Sequence, residues 1–188
     1  PGYTGTIMRD GYVGYLHLLE ALHAWCGAHT LRDLKGVYDF DAKQVWATDM
    51  ATLLVEINEA ARAARAAGAT SLDPGDLEEF RARYHALITE GQRYNRNRHY
   101  RAATDAKRLL RRFEKHEDMI LRFMIDLALD FSNNQAERDV RPVKVQQRSS
   151  GGCWRTLQGL ADFAIVQSYL STAGKWGSMN QSAYNASK

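Results

Sequence analysis

Cysteine and proline are scarce: the 188 residues hold two cysteines and three prolines. Two cysteines cannot staple a small disulfide scaffold. So few prolines leave long helices uninterrupted. No charge-free stretch approaches the roughly 20 apolar residues that a membrane-spanning helix needs. A G-x-x-x-x-G-K-[ST] loop and a G-x-G-x-x-G turn are both missing, so no bound nucleotide cofactor is indicated. The chain opens on Pro1 without an initiator Met, and no signal or transit pattern follows. A processed chain, or part of a longer one, is the expectation.

What is present is ordinary in amount and uneven in distribution. Apolar residues make up 45% and charged residues 25%, the balance of a globular domain. Ala, Leu, Arg and Glu are abundant, which favours helix. The net charge is only +3. Yet Arg93 to Lys115 carries nine basic residues against Asp105 and Glu114, and Pro1 to Ala60 carries four basic against eight acidic. Such asymmetry suits a polyanionic partner; a solvated helix face would carry the same charges without one.

Residues 3–9 mix β-branched and aromatic types and predict a short strand ending at Asp10. From Val13 the apolar positions Tyr15, Leu18, Leu19 and Leu22 recur at helical spacing. Leu22 to Cys26 fits either the end of that helix or a second strand. Helices are then predicted over 30–37, 41–67, 73–93, 104–113 and 116–127. Gly68 stops the second of these, and Asp73-Pro74 caps the third. Ser132-Asn133-Asn134 caps a short helix that Pro142 ends. Ser149 to Gly152 is a loop. A last helix covers 157–173, with Leu160, Phe163, Ala164, Val166, Gln167 and Leu170 inward. Residues 177–188 form a polar, flexible tail.

Three clusters could carry chemistry. Glu137 lies one turn into the capped helix, beside Arg138 and one turn before Arg141. Lys144 follows Glu137 by seven residues and shares its face. A carboxylate there could hold a divalent cation, with Lys144 on a phosphate; an exposed, ion-paired helix start is the plainer reading. Asp10 precedes Gly11 at a strand end, where open sheets place ligands, although Asp-Gly is also a common turn pair. Cys26-Gly27-Ala28-His29 has the spacing of half a zinc site. The other cysteine, Cys153, has no such partner nearby, so a packing role for Cys26 and His29 is expected.

Taken in order, these residues resemble the transposases of the insertion sequence 66 family. The similarity is carried by Asp10-Gly11-Tyr12-x-Gly14-Tyr15, by Cys26-x-x-His29-x-x-Arg32-x-Leu34 and by Trp46-Ala47. The most specific block is Asn133-Asn134-x-Ala136-Glu137-Arg138-x-x-Arg141-Pro142-x-Lys144. Ser149-x-Gly151-x-Cys153-Trp154-Arg155 and the helix from Gly159 to Gly174 also fit. The resemblance spans about residues 7 to 177.

The resemblance implies a mainly α chain with a small β part. It would be a truncated RNase H-like α/β core (1–37 and 129–176) carrying a large helical insertion (38–128). It implies a DDE enzyme that cleaves and joins DNA on two Mg²⁺ ions, with Mn²⁺ as a substitute. Asp10 would be the second Asp and Glu137 the Glu, both catalytic and metal-binding. Lys144, Arg138 and Arg141, with Arg108, Arg111 and Arg112 of the basic run, would contact DNA; Cys26 and His29 would be structural. The family's first Asp lies upstream of Asp10, on a strand that residues 1–9 do not provide. Asp39, Asp41 and Asp49 follow Asp10 in the chain and are poor substitutes. The expected protein is therefore a transposase fragment, inactive alone, whose strand edge makes it self-associate. It would work as a homo-oligomer on DNA in the bacterial cytoplasm, at the nucleoid, with no membrane and no small-molecule cofactor. Two other readings compete: a non-catalytic helical nucleic-acid-binding module, and a helical protein adaptor.

Overall fold

The computed structural model describes residues 4–11, 14, 17–134, 138, 141, 145 and 156–166. Glu137, Lys144, Cys153, the 149–152 loop and the 177–188 tail lie outside the described residues. The chain divides into two units, Pro1–Asn133 and Asn134–Lys188.

The first unit begins with strand β1 (Thr6–Arg9), which pairs in parallel with β2 (Leu22–Trp25). Ile7 stands opposite His23, and Arg9 opposite Trp25. The ladder extends at both ends, where Leu22 N donates to Gly5 O at 3.1 Å and Cys26 N donates to Arg9 O at 2.9 Å. The predicted first strand is present. The helix expected to follow Val13 does not reach Leu22: Ala21 N closes a turn on Leu18 O at 3.2 Å, and Leu22 enters the sheet. Pairing with β1 overrides the helical spacing of the leucines.

Four longer helices follow: α1 (Gly27–Phe40), α2 (Val45–Ala66), α3 (Pro74–Asn95) and α4 (Arg101–Lys115). α2 starts at Val45, with its apolar stripe, and not at Asp41 as expected. Asp41 accepts from the backbone N of Lys43 at 3.1 Å, and Gln44 N donates to Asp41 O at 2.9 Å. This local turn competes with helix and reverses the chain after α1. Gly68, at φ +84°, ends the α2 region. Asp73 caps α3 by accepting from Gly75 N at 2.9 Å, with Pro74 at the first helical position.

The core lies between these helices. α2 contributes Trp46, Met50, Leu53, Leu54, Ile57 and Ala61, an i, i+3/i+4 stripe, all buried. Against it pack Leu34 of α1, Tyr84 and Ile88 of α3, and Leu110 and Phe113 of α4. Each large apolar side chain so buried stabilises the fold by about 1.5–3 kcal/mol. Tyr84 stacks on Phe113, and its hydroxyl donates to Phe113 O at 3.0 Å; burial pushes its phenol far above the ordinary value.

One polar knot sits inside this core. Gln44 and Asn95, both fully buried, exchange side-chain amide hydrogen bonds of 2.8 Å each way. Trp46 Nε1 donates to Gln44 Oε1 at 2.7 Å, and Asn95 Nδ2 also donates to Gly91 O at 2.8 Å. The α1–α2 turn is thereby fixed to the end of α3, and its polar groups are satisfied.

Residues 116–127 do not form the single helix expected. Two short helices, α5 (Glu117–Ile120) and α6 (Arg122–Ile125), are separated at Leu121. Ile120, Leu121, Phe123, Met124 and Leu127 are all buried. Four of these, Ile120, Phe123, Met124 and Leu127, keep the spacing of one helix face, so the break at Leu121 does not come from the apolar pattern.

In the second unit Asn134, Arg138, Arg141 and Val145 are helical and exposed. Residues 157–166 are helical, and Thr156 Oγ1 accepts from Gly159 N at 3.0 Å at the start. Leu160 and Phe163 are half-buried as expected, but Ala164 and Val166 are exposed. Gln167 and Leu170 lie outside the described residues.

Gly91 reveals how tight the core is. A Cβ there would stand 2.7 Å from Leu110 Cδ2 and 2.8 Å from Trp46 Cδ2. Gly91→Ala is therefore expected to destabilise the fold by about 1–3 kcal/mol despite the better helix propensity of alanine. Thermal or urea unfolding checks this; an unchanged or raised midpoint would contradict the packing described.

Candidate functional site

Asp10 follows the last residue of β1, at the carboxyl ends of the two parallel strands. Open sheets bind ligands at this end. Asp10 is half-buried. Beside it, Arg9 is buried to 3% exposure, an unusual place for a guanidinium. Arg9 lies 5.0 Å over the Trp25 ring, and its Nη1 donates to Asp10 O at 3.3 Å.

Trp25 has a second cation. Arg112 of α4 lies 5.1 Å from the same ring and pairs with Asp33 of α1. Each guanidinium–indole contact contributes about 0.5–2 kcal/mol, more as water is excluded. His116 also faces the ring, with centroids 5.4 Å apart. Burial pushes His116 below the usual histidine value, and the positive charges of Lys115, Arg9 and Arg112 push it further. The strand end that carries Asp10 is thus surrounded by positive charge. That arrangement offsets the repulsion between a carboxylate and a phosphodiester.

Cys26 joins three segments. It is fully buried. Its backbone N binds Arg9 O, and its sulfur accepts from Asn133 N at 3.5 Å. Next to it, Gly27 N donates to Phe131 O at 2.7 Å, and the Phe131 ring occupies the place a Cβ at Gly27 would take. The end of β1, the start of α1 and the chain entering the Asn133–Lys144 block therefore meet. His29 lies half-buried in the first turn of α1.

The basic run separates into engaged and open residues. On α4, Arg101, Arg108 and Lys115 recur every seven residues, so they share one face over roughly 21 Å. Arg111 and Arg112 flank it. Arg108 meets Asp105 at 3.4 Å, and Arg112 is held by Asp33 and Trp25. Arg101, Arg111 and Lys115 make no ion pair and no side-chain hydrogen bond among the described residues. Lys107 is turned inward onto the carbonyl of Arg98 at 2.7 Å, and Arg98 stacks 4.0 Å from the Tyr94 ring. An open cationic face suits a phosphate backbone.

The structure therefore brings together Asp10, Cys26 and Asn133, with Arg112 nearby through Trp25. Arg108 and Arg111 are exposed on α4, and Arg138 and Arg141 are exposed in the second unit. Glu137 and Lys144 lie outside the described residues. Among the carboxylates proposed as substitutes, Asp41 accepts from Tyr100 OH at 2.5 Å, and Asp39 pairs with Lys35 on α1. Sequence reasoning missed the buried role of Arg9 and the pairing of Asp33 with Arg112. A faint signal existed: Arg9 and Trp25 directly precede Asp10 and Cys26.

Asp10 offers hard oxygen atoms that suit Mg²⁺. Among the described residues no three His, Cys, Asp or Glu side chains gather as a metal site. Any such site needs a ligand from beyond them. Also among the described residues, no helix is long and apolar enough to cross a membrane.

A family model described as "Transposase IS66 family" matches residues 1–161. No curated protein and no solved structure matches the chain.

The depressed His116 fixes a pH dependence. The unfolded chain takes up this proton near the ordinary value of about 6.5 while the folded chain resists it. Stability is expected to fall as pH drops through that value toward the lower folded one, and to be unaffected by this group above it. Urea unfolding between pH 8 and pH 5 should show less acid loss in His116→Gln. Equal slopes for the two proteins would contradict the environment described.

Proposed function

Because the chain belongs to the transposase IS66 family, we propose that it supplies part of a DDE catalytic centre, in which Asp10 and Glu137 hold the divalent ions that cut and join DNA. The carrying observation is the Cys26 joint. It ties Asn133 to the strand end bearing Asp10, and Glu137 is only four residues further. A chain of four residues spans at most about 14 Å, and about 6 Å if helical. That reach permits both carboxylates to hold the same ions.

Two carboxylates with hard oxygen atoms suit Mg²⁺, or Mn²⁺ in its place. When bound, such ions activate water or a DNA 3′-hydroxyl and stabilise the leaving 3′-oxygen. The protein's own task is to hold Asp10 rigid and the DNA in register. Arg9 braces the Asp10 backbone, and Trp25 braces Arg9. Lys144, Arg138, Arg141, Arg108 and Arg111 would draw the phosphate backbone toward the site. Arg112 is engaged by Asp33 and Trp25, so its part is to anchor α4 beside the strand end. The RNase H-like core in this reading is 1–37 with 129–176, and 38–128 is the helical insertion. The active form would be a homo-oligomer on DNA.

Residues 1–9 contain no Asp or Glu. A polypeptide of residues 1–188 therefore offers two acidic ligands of the three, and we expect it to bind DNA without cutting it. In a polypeptide extended upstream to include the first Asp, Asp10→Asn or Glu137→Gln should abolish cleavage of transposon-end duplex while DNA affinity is retained. Robust, Glu137-dependent cutting by residues 1–188 alone would refute the assignment.

The open cationic face of α4 favours a second reading, a non-catalytic nucleic-acid-binding module. Both readings require phosphate contacts. Arg101→Ala and Arg111→Ala should each weaken duplex binding and lower the salt slope by about 0.9, as measured by fluorescence anisotropy over a salt series. An unchanged slope would remove α4 from the interface. If cleavage by the extended polypeptide does not depend on Asp10 or Glu137, the non-catalytic reading prevails.

A further inference from the structure

α1 carries an oddity that the catalytic reading does not use. Gly36 stands well inside this helix, where glycine is less stable than alanine by about 0.5–1 kcal/mol. Gly27 and Gly91 have a steric reason, since neighbouring side chains fill the space of a Cβ. Gly36 has none: a Cβ there would meet nothing within 4 Å. The open space belongs to a groove of about 440 Å³ between α1 and α4.

Arg32, Gly36 and Phe40 follow one another at i, i+4 and i+8, so they form a single stripe along this groove. Arg32 is exposed and makes no ion pair or side-chain hydrogen bond among the described residues. Phe40 is 83% exposed, an exceptional position for a phenyl ring. Val37 and Leu109 supply an apolar floor, and Arg108 lines the groove from α4. Two acids, Asp33 and Asp105, also line the groove; Arg112 holds Asp33, while the Arg108–Asp105 contact is a solvent-exposed 3.4 Å pair, weak enough for a phosphate to displace the carboxylate. Along one line the groove thus offers a cation, an open floor and an aromatic face. Beyond Arg108 the cationic stripe of α4 continues to Arg101, Arg111 and Lys115.

We propose that the α1–α4 groove binds unpaired nucleic acid, with a base stacked on Phe40 over Gly36 and the flanking phosphates on Arg32 and Arg108. The chemistry is that of single-strand binding sites generally: a basic track for the backbone and an aromatic face for a base. An apolar groove with a basic rim could also take an acidic amphipathic peptide. The continuity of the groove with the open cations of α4 favours nucleic acid. The inference rests on the DNA-binding part of the proposed function and deepens it. It assigns α4's outer face to duplex and the groove to a strand freed from pairing.

Gly36→Leu fills the groove from a position where a Cβ meets nothing within 4 Å, and the gain in helix propensity should keep the fold at least as stable as the native one. Phe40→Ala removes the stacking face. Binding of residues 1–188 to a labelled 20-nucleotide single strand and to a duplex of the same sequence is measured by anisotropy at two salt concentrations. Each substitution is expected to weaken single-strand binding about tenfold, the size of one lost stacking contact. Duplex binding should stay within about twofold, and thermal melting confirms the fold. Unchanged single-strand affinity in both variants, with duplex binding intact, overturns the groove assignment alone, and is the outcome expected of a peptide groove. Equal losses on both DNA forms overturn its preference for an unpaired strand. A native chain that binds neither form overturns this inference together with the DNA-binding reading beneath it.

Discussion

Cys26 holds the fold's most consequential joint. Its backbone N continues the β ladder from Arg9, and its buried sulfur receives Asn133 N. A residue early in the chain is thereby fixed to one more than a hundred positions later. A small, apolar, polarisable side chain suits this place, because it fills the core and still accepts a weak hydrogen bond. Gly27 beside it lets Phe131 press against the start of α1. Asp10 takes its position from this joint and from the guanidinium–indole–guanidinium stack of Arg9, Trp25 and Arg112.

That stack links two jobs. Arg9 belongs to the strand of Asp10, and Arg112 belongs to the cationic helix α4. Two like charges share one ring, and the pairing of Arg112 with Asp33 reduces the cost. Burial and the surrounding cations hold His116 below the usual histidine value. Contact between α4 and a polyanion would therefore act close to Asp10, through packed side chains.

Much of the helical part was legible in the residues. The Asp73-Pro74 start and the Gly68 stop are local devices, and they act locally in the fold. The apolar stripe of α2 is buried in the fold as one face. Leu22 was not legible, because its conformation is set by its pairing with β1, and nothing in the apolar spacing marks the break at Leu121. The basic run could be counted but not sorted. Arg112 is withdrawn from the open surface by an acid 79 residues away, whereas Arg111 next to it is not. Motif order carried the family, which no periodicity could supply. The contact of Asn133 with Cys26 had no local signal in the residues.

The convergence of residues 10 and 137 on a shared metal centre is tested most directly by a double-mutant cycle on Mn²⁺ affinity, read by electron paramagnetic resonance with residues 1–188. If the two carboxylates hold the same ions, Asp10→Asn and Glu137→Gln should each lower the affinity, and the double substitution should cost clearly less than the sum of the two. Strictly additive losses, or a Mn²⁺ affinity indifferent to both residues, would contradict a shared site.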